Sequence, residues 1–180
     1  MKALTDLKEI NKILRTVIIA QSQLLPANVR NALSLHGEDL EKLIEGTVYN
    51  SYEVTDCFAL FELKYRDSSN NISFTNTDQT GDPVTIQNSF SFQVMIYGNA
   101  GPTTAAKLAA RMRTAKVRQD LMTQGVYIER VENPVSLNEY INDSMWIRTD
   151  VVIDISCEML FQQVSNDYQV SSYNSVNTIS

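Results

Sequence analysis

Two stretches in the second half of the chain alternate regularly between apolar and polar residues. In residues 89–96 the apolar positions share one parity: Phe90, Phe92, Val94 and Ile96. In residues 147–161 they are Ile147, Val151, Ile153, Ile155, Cys157, Met159 and Phe161. Successive strand side chains point to opposite faces, so each stretch predicts a strand with one buried face. At roughly 3.3 Å per residue the second strand could extend about 50 Å, so we expect it to project beyond its own core.

The part of the chain before these strands predicts two helices, a further strand and a loop. An N-terminal helix places its apolar seam at Leu4, Leu7, Ile10, Leu14, Val17 and Leu24, and we expect Pro26 to end or kink it. A shorter helix is predicted at residues 38–45 and a strand at 55–66. Residues 67–83 are rich in turn-forming side chains, which predicts a mobile contact arm with a short edge strand at Ile72 and Phe74.

A second long helix is predicted between the two alternating strands. We expect Thr103 or Thr104 to cap it and Gly125 to end it. Its apolar side is Ala105, Leu108, Ala109, Met112, Ala115 and Met122. A short strand at residues 126–131 and a linker through Pro134 to Ser144 follow.

Together these elements predict an α+β fold with a mostly antiparallel or mixed β-sheet and helices packed on one side. The long C-terminal strand projects from it. We expect one domain over residues 1–164 and a flexible polar tail over residues 165–180.

Composition narrows the function class only modestly. With 180 residues, 43% hydrophobic residues and 20% charged residues, the chain has ordinary globular composition. A formal net charge of −6 argues against a general nucleic-acid binder. Cys57 and Cys157 predict buried free thiols in a reducing compartment. The chain contains no run of about 20 apolar residues, so the sequence predicts no membrane helix. Charged residues near the start, such as Asp6 and Lys8, argue against a secretory signal.

The sequence offers no catalytic, cofactor-binding or metal-binding constellation. The single histidine, His36, lies beside Gly37 in a predicted turn without metal-ligand spacing around it. Residues 98–101 superficially resemble a phosphate loop, but they lack the Lys-Ser/Thr pair and the third glycine of the nucleotide motifs. We therefore expect no enzymatic activity, and a small cytosolic α/β enzyme is the least favoured alternative.

Two charge patterns are candidates for assembly surfaces. Asp150, Asp154 and Glu158 recur every four residues on the polar parity of the long strand, which is a solvated face in a monomer. If that strand lines a pore, the acidic stripe would repel DNA phosphates. On the long helix, Lys107, Arg111 and Arg118 fall in one narrow stripe, which is either a solvated edge or a subunit interface.

The central part of the chain resembles the neck or tail terminator (tail completion) proteins of tailed bacteriophages. The matching segments are Phe-Gln-Val-Met-Ile-Tyr-Gly at residues 92–98, the Ala-rich helix, and Arg-Gln-Asp-Leu-Met-Thr-Gln-Gly at residues 118–125. The others are Tyr127-Ile128, Asn133-Pro134-Val135 and Trp-Ile-Arg-Thr-Asp-Val at residues 146–151.

The resemblance implies a six-membered ring between the head–tail connector and the tail tube of a virion. Such a ring ends tube polymerisation, docks the filled head, leaves a channel for DNA and has no enzymatic activity. The implied partners are other copies of the chain, connector proteins, the tail tube and, in a tail that has one, a sheath protein, with assembly in the host cytoplasm. A connector stopper or a tail tube protein is the alternative within the same assembly.

Overall fold

The computed structural model describes residue 4 and residues 6–32, 57–66, 74–75, 84–141 and 143–161. Its helices are α1 (Leu7–Ser22), α2 (Gly101–Met112) and α3 (Ala115–Met122), with a 3₁₀ turn at Pro26–Asn28. Its strands are β1 (Val29–Asn31), β2 (Phe58–Tyr65), β3 (Phe74–Thr75), β4 (Val84–Tyr97), β5 (Val126–Val131), β6 (Val135–Ile141) and β7 (Ser144–Phe161). None of the helices within these ranges has both the length and the apolar character that crossing a bilayer requires.

All the described strands belong to one sheet built around the pair β4 and β7. These two strands run antiparallel from the pair Val84–Phe161 to the pair Tyr97–Arg148. β2 pairs antiparallel with the other edge of β4, and β1 joins β2 in parallel. β5 and β6 pair antiparallel with successive parts of the remaining edge of β7. The sheet is therefore mixed and mostly antiparallel, as predicted.

The alternating residues form the main hydrophobic core on one face of this sheet. Phe90 and Phe92 of β4 pack there with Val151, Ile153 and Ile155 of β7, and all five are buried. The buried side chains of all three helices join the same cluster: Ile10, Leu14, Ile18, Ala105, Leu108, Ala109, Met112, Val117 and Leu121. A shift of one residue would turn every one of these strand side chains to the opposite face. The predicted α+β fold with helices on one side is confirmed, whereas projection of β7 beyond its own core stays a prediction.

Helix α1 ends earlier than the sequence predicted. Its N-cap is Asp6, whose Oδ1 accepts a 2.7 Å hydrogen bond from the Glu9 amide. At the other end Gln23 adopts a left-handed φ of 64°, and its amide donates to the Ile19 carbonyl. Helix α1 therefore ends at Ser22, and Pro26 begins a separate 3₁₀ turn.

The turn between β4 and α2 requires two of its glycines. Gly98 has a φ of 102°, in the region that favours glycine. A Cβ atom at Gly101 would approach the Ile96 carbonyl oxygen to 3.0 Å. Neither Thr103 nor Thr104 is the N-cap of α2, because the helix begins at Gly101 with Ala100 at the cap position. The expected threonine cap is wrong.

The predicted single long helix is also wrong, because the chain breaks it at Arg113 and Thr114. The Thr114 hydroxyl oxygen accepts a hydrogen bond from the Val117 amide at 3.5 Å and caps a new helix, α3. The break changes the helical phase. Val117 and Leu121 are buried, and the predicted apolar positions Ala115 and Met122 are exposed.

The predicted linker through Pro134 to Ser144 contains strand β6. Its side chains are mostly exposed on both sides, so the segment lacks the burial pattern by which strands are predicted. Arg113 fixes the connection into this strand. Its Nη2 donates to the Val131 and Glu132 carbonyls and to Asn133 Oδ1 at 2.8–3.1 Å.

Several predicted features lie outside the described residues. They are the helix at residues 38–45, His36, Ile72 and most of the arm at 67–83, and the tail at 165–180. Within the arm only β3 is described, and it pairs with β4 at Thr85 and Ile86.

Candidate functional site

The three acidic residues of the predicted stripe lie on the sheet face opposite the helices. Asp150, Asp154 and Glu158 alternate along β7 with core residues such as Val151 and Ile153. Strand geometry therefore places all three on the same face. The structure brings them together on one face, but it does not leave the first two as open carboxylates.

Asp154 is buried beneath two arginines. Its side chain is only 4% exposed, and its Oδ2 lies 3.0 Å from Arg130 Nε and 3.4 Å from Arg66 Nη1. Arg66 also pairs with Glu129 at 3.1 Å, and Arg130 with Glu132 at 2.5 Å. Because these residues lie in β7, in or directly after β5, and directly after β2, the pairs connect three strands across the open face.

Asp150 is held by a second group of polar side chains. Arg148 donates to both of its carboxylate oxygens at 2.8 Å, and Gln93 donates to Oδ2 at 2.9 Å. The hydrogen bond with Asp150 raises the pKa of Arg148. Arg148 also lies 3.5 Å from Glu139, which accepts a hydrogen bond from the Tyr97 hydroxyl at 3.0 Å. Burial, reinforced by the charge of Glu139, raises the pKa of Tyr97.

An aromatic cluster lies on the same face, at the end where β6 joins β7. Phe58 stacks on Tyr97 with ring centroids 4.9 Å apart, and Trp146 meets Phe58 edge-on at 5.8 Å. Leu60, Met95 and Ile141 complete the cluster. The open face therefore combines an apolar end with a central region of paired charges.

The three basic residues predicted as a stripe do not share one surface environment. Arg111 is half-buried, and its Nη1 donates a 2.6 Å hydrogen bond to the Gln21 carbonyl at the end of α1. Lys107 is exposed on α2, whereas Arg118 is exposed on α3. The narrow stripe was based on one continuous helix, so the break at Thr114 removes its geometric basis. A subunit interface at these residues stays a prediction.

Arg118 lines a shallow groove between α3 and β5 with a volume of about 320 Å³. Met122, Tyr127 and Ile128 contribute to its walls. The Tyr127 hydroxyl is buried without a hydrogen-bond partner among the described residues. Burial and then the charge of Glu158 raise the pKa of Tyr127. The groove holds no convergent set of polar groups that would indicate a reaction.

The cysteines are free thiols within the described chain. Cys157 is buried, and burial raises its pKa to about 12. Cys57 is only half-buried, so the predicted burial is confirmed for Cys157 alone, and the reducing compartment stays a prediction. No group of three His, Cys, Asp or Glu side chains in the described ranges is arranged to hold a metal ion.

Exposed apolar side chains on both faces of the β6–β7 hairpin were not predicted from the sequence. Val135, Leu137 and Tyr140 of β6 and Met145 of β7 are all exposed. Apolar residues within the supposed linker were the available signal, because linkers of this length are usually polar.

Comparison with known proteins identifies the class of this molecule. The family model described as phage neck terminator protein matches residues 40–180, which is most of the chain. A search of curated proteins found no match. The chain belongs to the phage neck terminator family. The resemblance drawn from residues 92–151 is confirmed, and the protein is a structural component of the neck or tail of a phage virion.

Proposed function

We propose that copies of this chain form a ring, six subunits around, that closes the end of the tail tube and joins it to the head–tail connector. The ring leaves a central channel for DNA. The observation that carries this proposal is the family match over residues 40–180.

Features of the fold support assembly in preference to catalysis. One face of the sheet carries all the described helices, whereas the other carries paired charges and an aromatic cluster. Tyr140 and Met145, exposed neighbours on the helix-bearing face of the β6–β7 hairpin, are typical of a surface that another chain covers. We therefore propose a non-enzymatic role.

We propose that the open sheet face lines the channel, with Asp150, Asp154 and Glu158 along its wall. Ion pairs reduce the negative electrostatic potential of two of these carboxylates. Arg148 pairs with Asp150, and Arg66 and Arg130 pair with Asp154. Glu158 and the partly exposed Glu129 and Glu132 add further negative charge to that wall. The five carboxylates outnumber the three arginines on this wall, so its net charge is negative and disfavours adhesion of DNA phosphates during transit.

The proposed partners are further copies of the chain, connector proteins on one side, and the tail tube with a possible sheath on the other. DNA passes through the channel without a permanent contact. Assembly takes place in the host cytoplasm. A connector stopper or tail tube protein would share the family's location but would leave a different defect when removed.

Imaging of virions that lack this protein tests the proposal. We expect separated filled heads and tails of abnormal length, because both docking and length control are lost. Normal intact particles would refute it. Empty or leaking heads with tails of normal length would instead support a connector stopper.

A further inference from the structure

Exposed apolar side chains concentrate in one hairpin of the sheet. Val135 is 63% exposed, Leu137 39%, Tyr140 75% and Met145 55%. These are half of the large exposed apolar residues in the described part of the chain; the others are Leu7, Leu25, Tyr65 and Met122. Val135 and Leu137 pair with open-face residues of β7, whereas Tyr140 and Met145 are cross-strand neighbours on the helix-bearing face. Apolar side chains exposed on both faces of one hairpin indicate a contact with another chain.

The same hairpin presents an open strand edge. Among the described residues β6 pairs only with β7, so the peptide groups on its outer side lack strand partners. Open edges that carry apolar side chains readily accept another strand. β6 has no proline within it and only one charged residue, Glu139, to discourage such pairing.

A second open edge lies on the opposite side of the sheet. β1 pairs only with residues 59–61 of β2, so residues 62–65 have no outer partner in the described ranges. Lys64 and Tyr65 are exposed there. At about 3.4 Å per residue, these four positions offer about 14 Å of ladder, which is within the length of β6.

We propose that β6 of one copy pairs antiparallel with residues 62–65 of the next copy and so continues the sheet from subunit to subunit. This inference rests on the proposed ring and names the surfaces that build it. β2 runs in the same direction as β7, and β6 runs opposite to β7. A rotation about the ring axis preserves the component of each strand direction along that axis, so the two edges meet antiparallel when the strands run along it.

The charges of the two edges are complementary. Residues 131–147 contain Glu132, Glu139 and Asp143 but no lysine or arginine. On the other edge, Lys64 lies beside Glu62 near the end of β2, and Arg66 follows the strand, which leaves an excess of one positive charge. One register opposes Lys64 to Glu139, and opposite charges across neighbouring strands stabilise pairing.

In that register, opposed side chains of the two strands project from the same face of the continued sheet. Glu139 lies on the open face, where it contacts Tyr97, and Lys64 lies on the same face as its partner Glu62. On the helix-bearing face, the register sets Asn138 opposite Tyr65 and Tyr140 opposite Leu63. The exposed Tyr140 thereby gains Leu63 and, diagonally, the exposed Tyr65 as neighbours.

Two different edges in contact make a heterologous interface, which closes into a ring when the rotation per subunit divides a full turn. A pairing of β6 with β6 about a twofold axis would instead give a dimer. The two arrangements bring different residues together and can be separated by cross-linking.

The test is a disulfide between the opposed exposed positions. Phage carrying Tyr65→Cys with Asn138→Cys are assembled, oxidised mildly and analysed without reductant. Directly opposed strand positions meet disulfide geometry. We expect linked multimers at multiples of the 20.3 kDa subunit, with loss of these multimers when Lys64→Glu is added.

The controls are the unmodified protein, which reports any linkage through Cys57 or Cys157, and the two single-cysteine variants. Each single variant should stay unlinked, because each position faces a different residue of its neighbour. Dimers from Asn138→Cys alone would overturn the inference in favour of twofold pairing. Rings seen by microscopy without cross-links would overturn these surfaces and leave the proposed function intact. Particles without any ring would overturn both.

Discussion

At Asp154 a single carboxylate connects three strands. The sequence places this residue on the polar parity of β7, where solvent exposure is expected, yet its side chain is buried. Arg130 from β5 and Arg66 beyond β2 cover it, and neither is close to it in sequence. The alternation along one strand predicts which face a side chain points to. It does not predict which side chains from other strands form ion pairs with it.

Replacing Asp154 by asparagine should destabilise the subunit. Asp154→Asn keeps the shape but removes the negative charge that both arginines contact. We expect the free energy of unfolding to fall by about 1.5–3 kcal/mol, the range for hydrogen bonds to charged groups. Urea unfolding followed by circular dichroism measures it.

The matched control is Glu158→Gln on the same strand and face. Glu158 is less buried, so its loss of charge should change stability far less. Equal effects from the two substitutions would contradict a special role for the buried ion pairs.

At the scale of elements, local pattern predicted those segments that bury one face. β5 was predicted at its observed bounds of Val126–Val131, and the core parities of β4 and β7 are as expected. β6 was missed because almost none of its side chains is buried within the subunit. The break between α2 and α3 was missed because a threonine is tolerated inside a helix, and only its hydrogen bonds reveal that Thr114 acts as a cap.

Removing that cap should weaken α3. In Thr114→Ala the Val117 amide loses its acceptor, and the Arg111 carbonyl loses the hydrogen bond donated by the Thr114 hydroxyl. We expect a loss of about 1 kcal/mol in the free energy of unfolding, the typical value for an N-cap. Thermal unfolding of both proteins under identical conditions provides the measurement.

Thr103→Ala is the matched control, because Thr103 is exposed in the first turn of α2 and is not its N-cap. It should leave stability nearly unchanged. A larger loss from this control than from Thr114→Ala would mean that the caps have been assigned incorrectly.

At the scale of the whole molecule, the family was recognisable from segments around residues 92–151, whereas the assembly surfaces were not. The sequence predicted one basic stripe on one helix, but its residues lie on two helices and make different contacts. Arg111 ties α2 to the end of α1, while Arg118 borders the groove beside β5. Such distinctions depend on which elements pack together, and that information is absent from any single segment.

Charge reversal at Arg118 tests whether α3 also contributes to assembly. Arg118→Glu should leave the isolated subunit folded, because the side chain is exposed, and should weaken its incorporation into particles. Arg111→Glu should additionally lower the melting temperature, because it removes the hydrogen bond to the Gln21 carbonyl. Melting curves and the amount of protein in purified particles distinguish the two outcomes. Normal incorporation of Arg118→Glu would show that α3 faces solvent.

The unbroken pairing of β4 with β7 has a mechanical consequence. The two strands share fourteen consecutive residue pairs, from Val84–Phe161 to Tyr97–Arg148. Tension that pulls the two strands apart lengthwise acts on all of these hydrogen bonds in shear, so they cannot open one after another. A subunit built this way resists stretching along its strands far better than peeling across them.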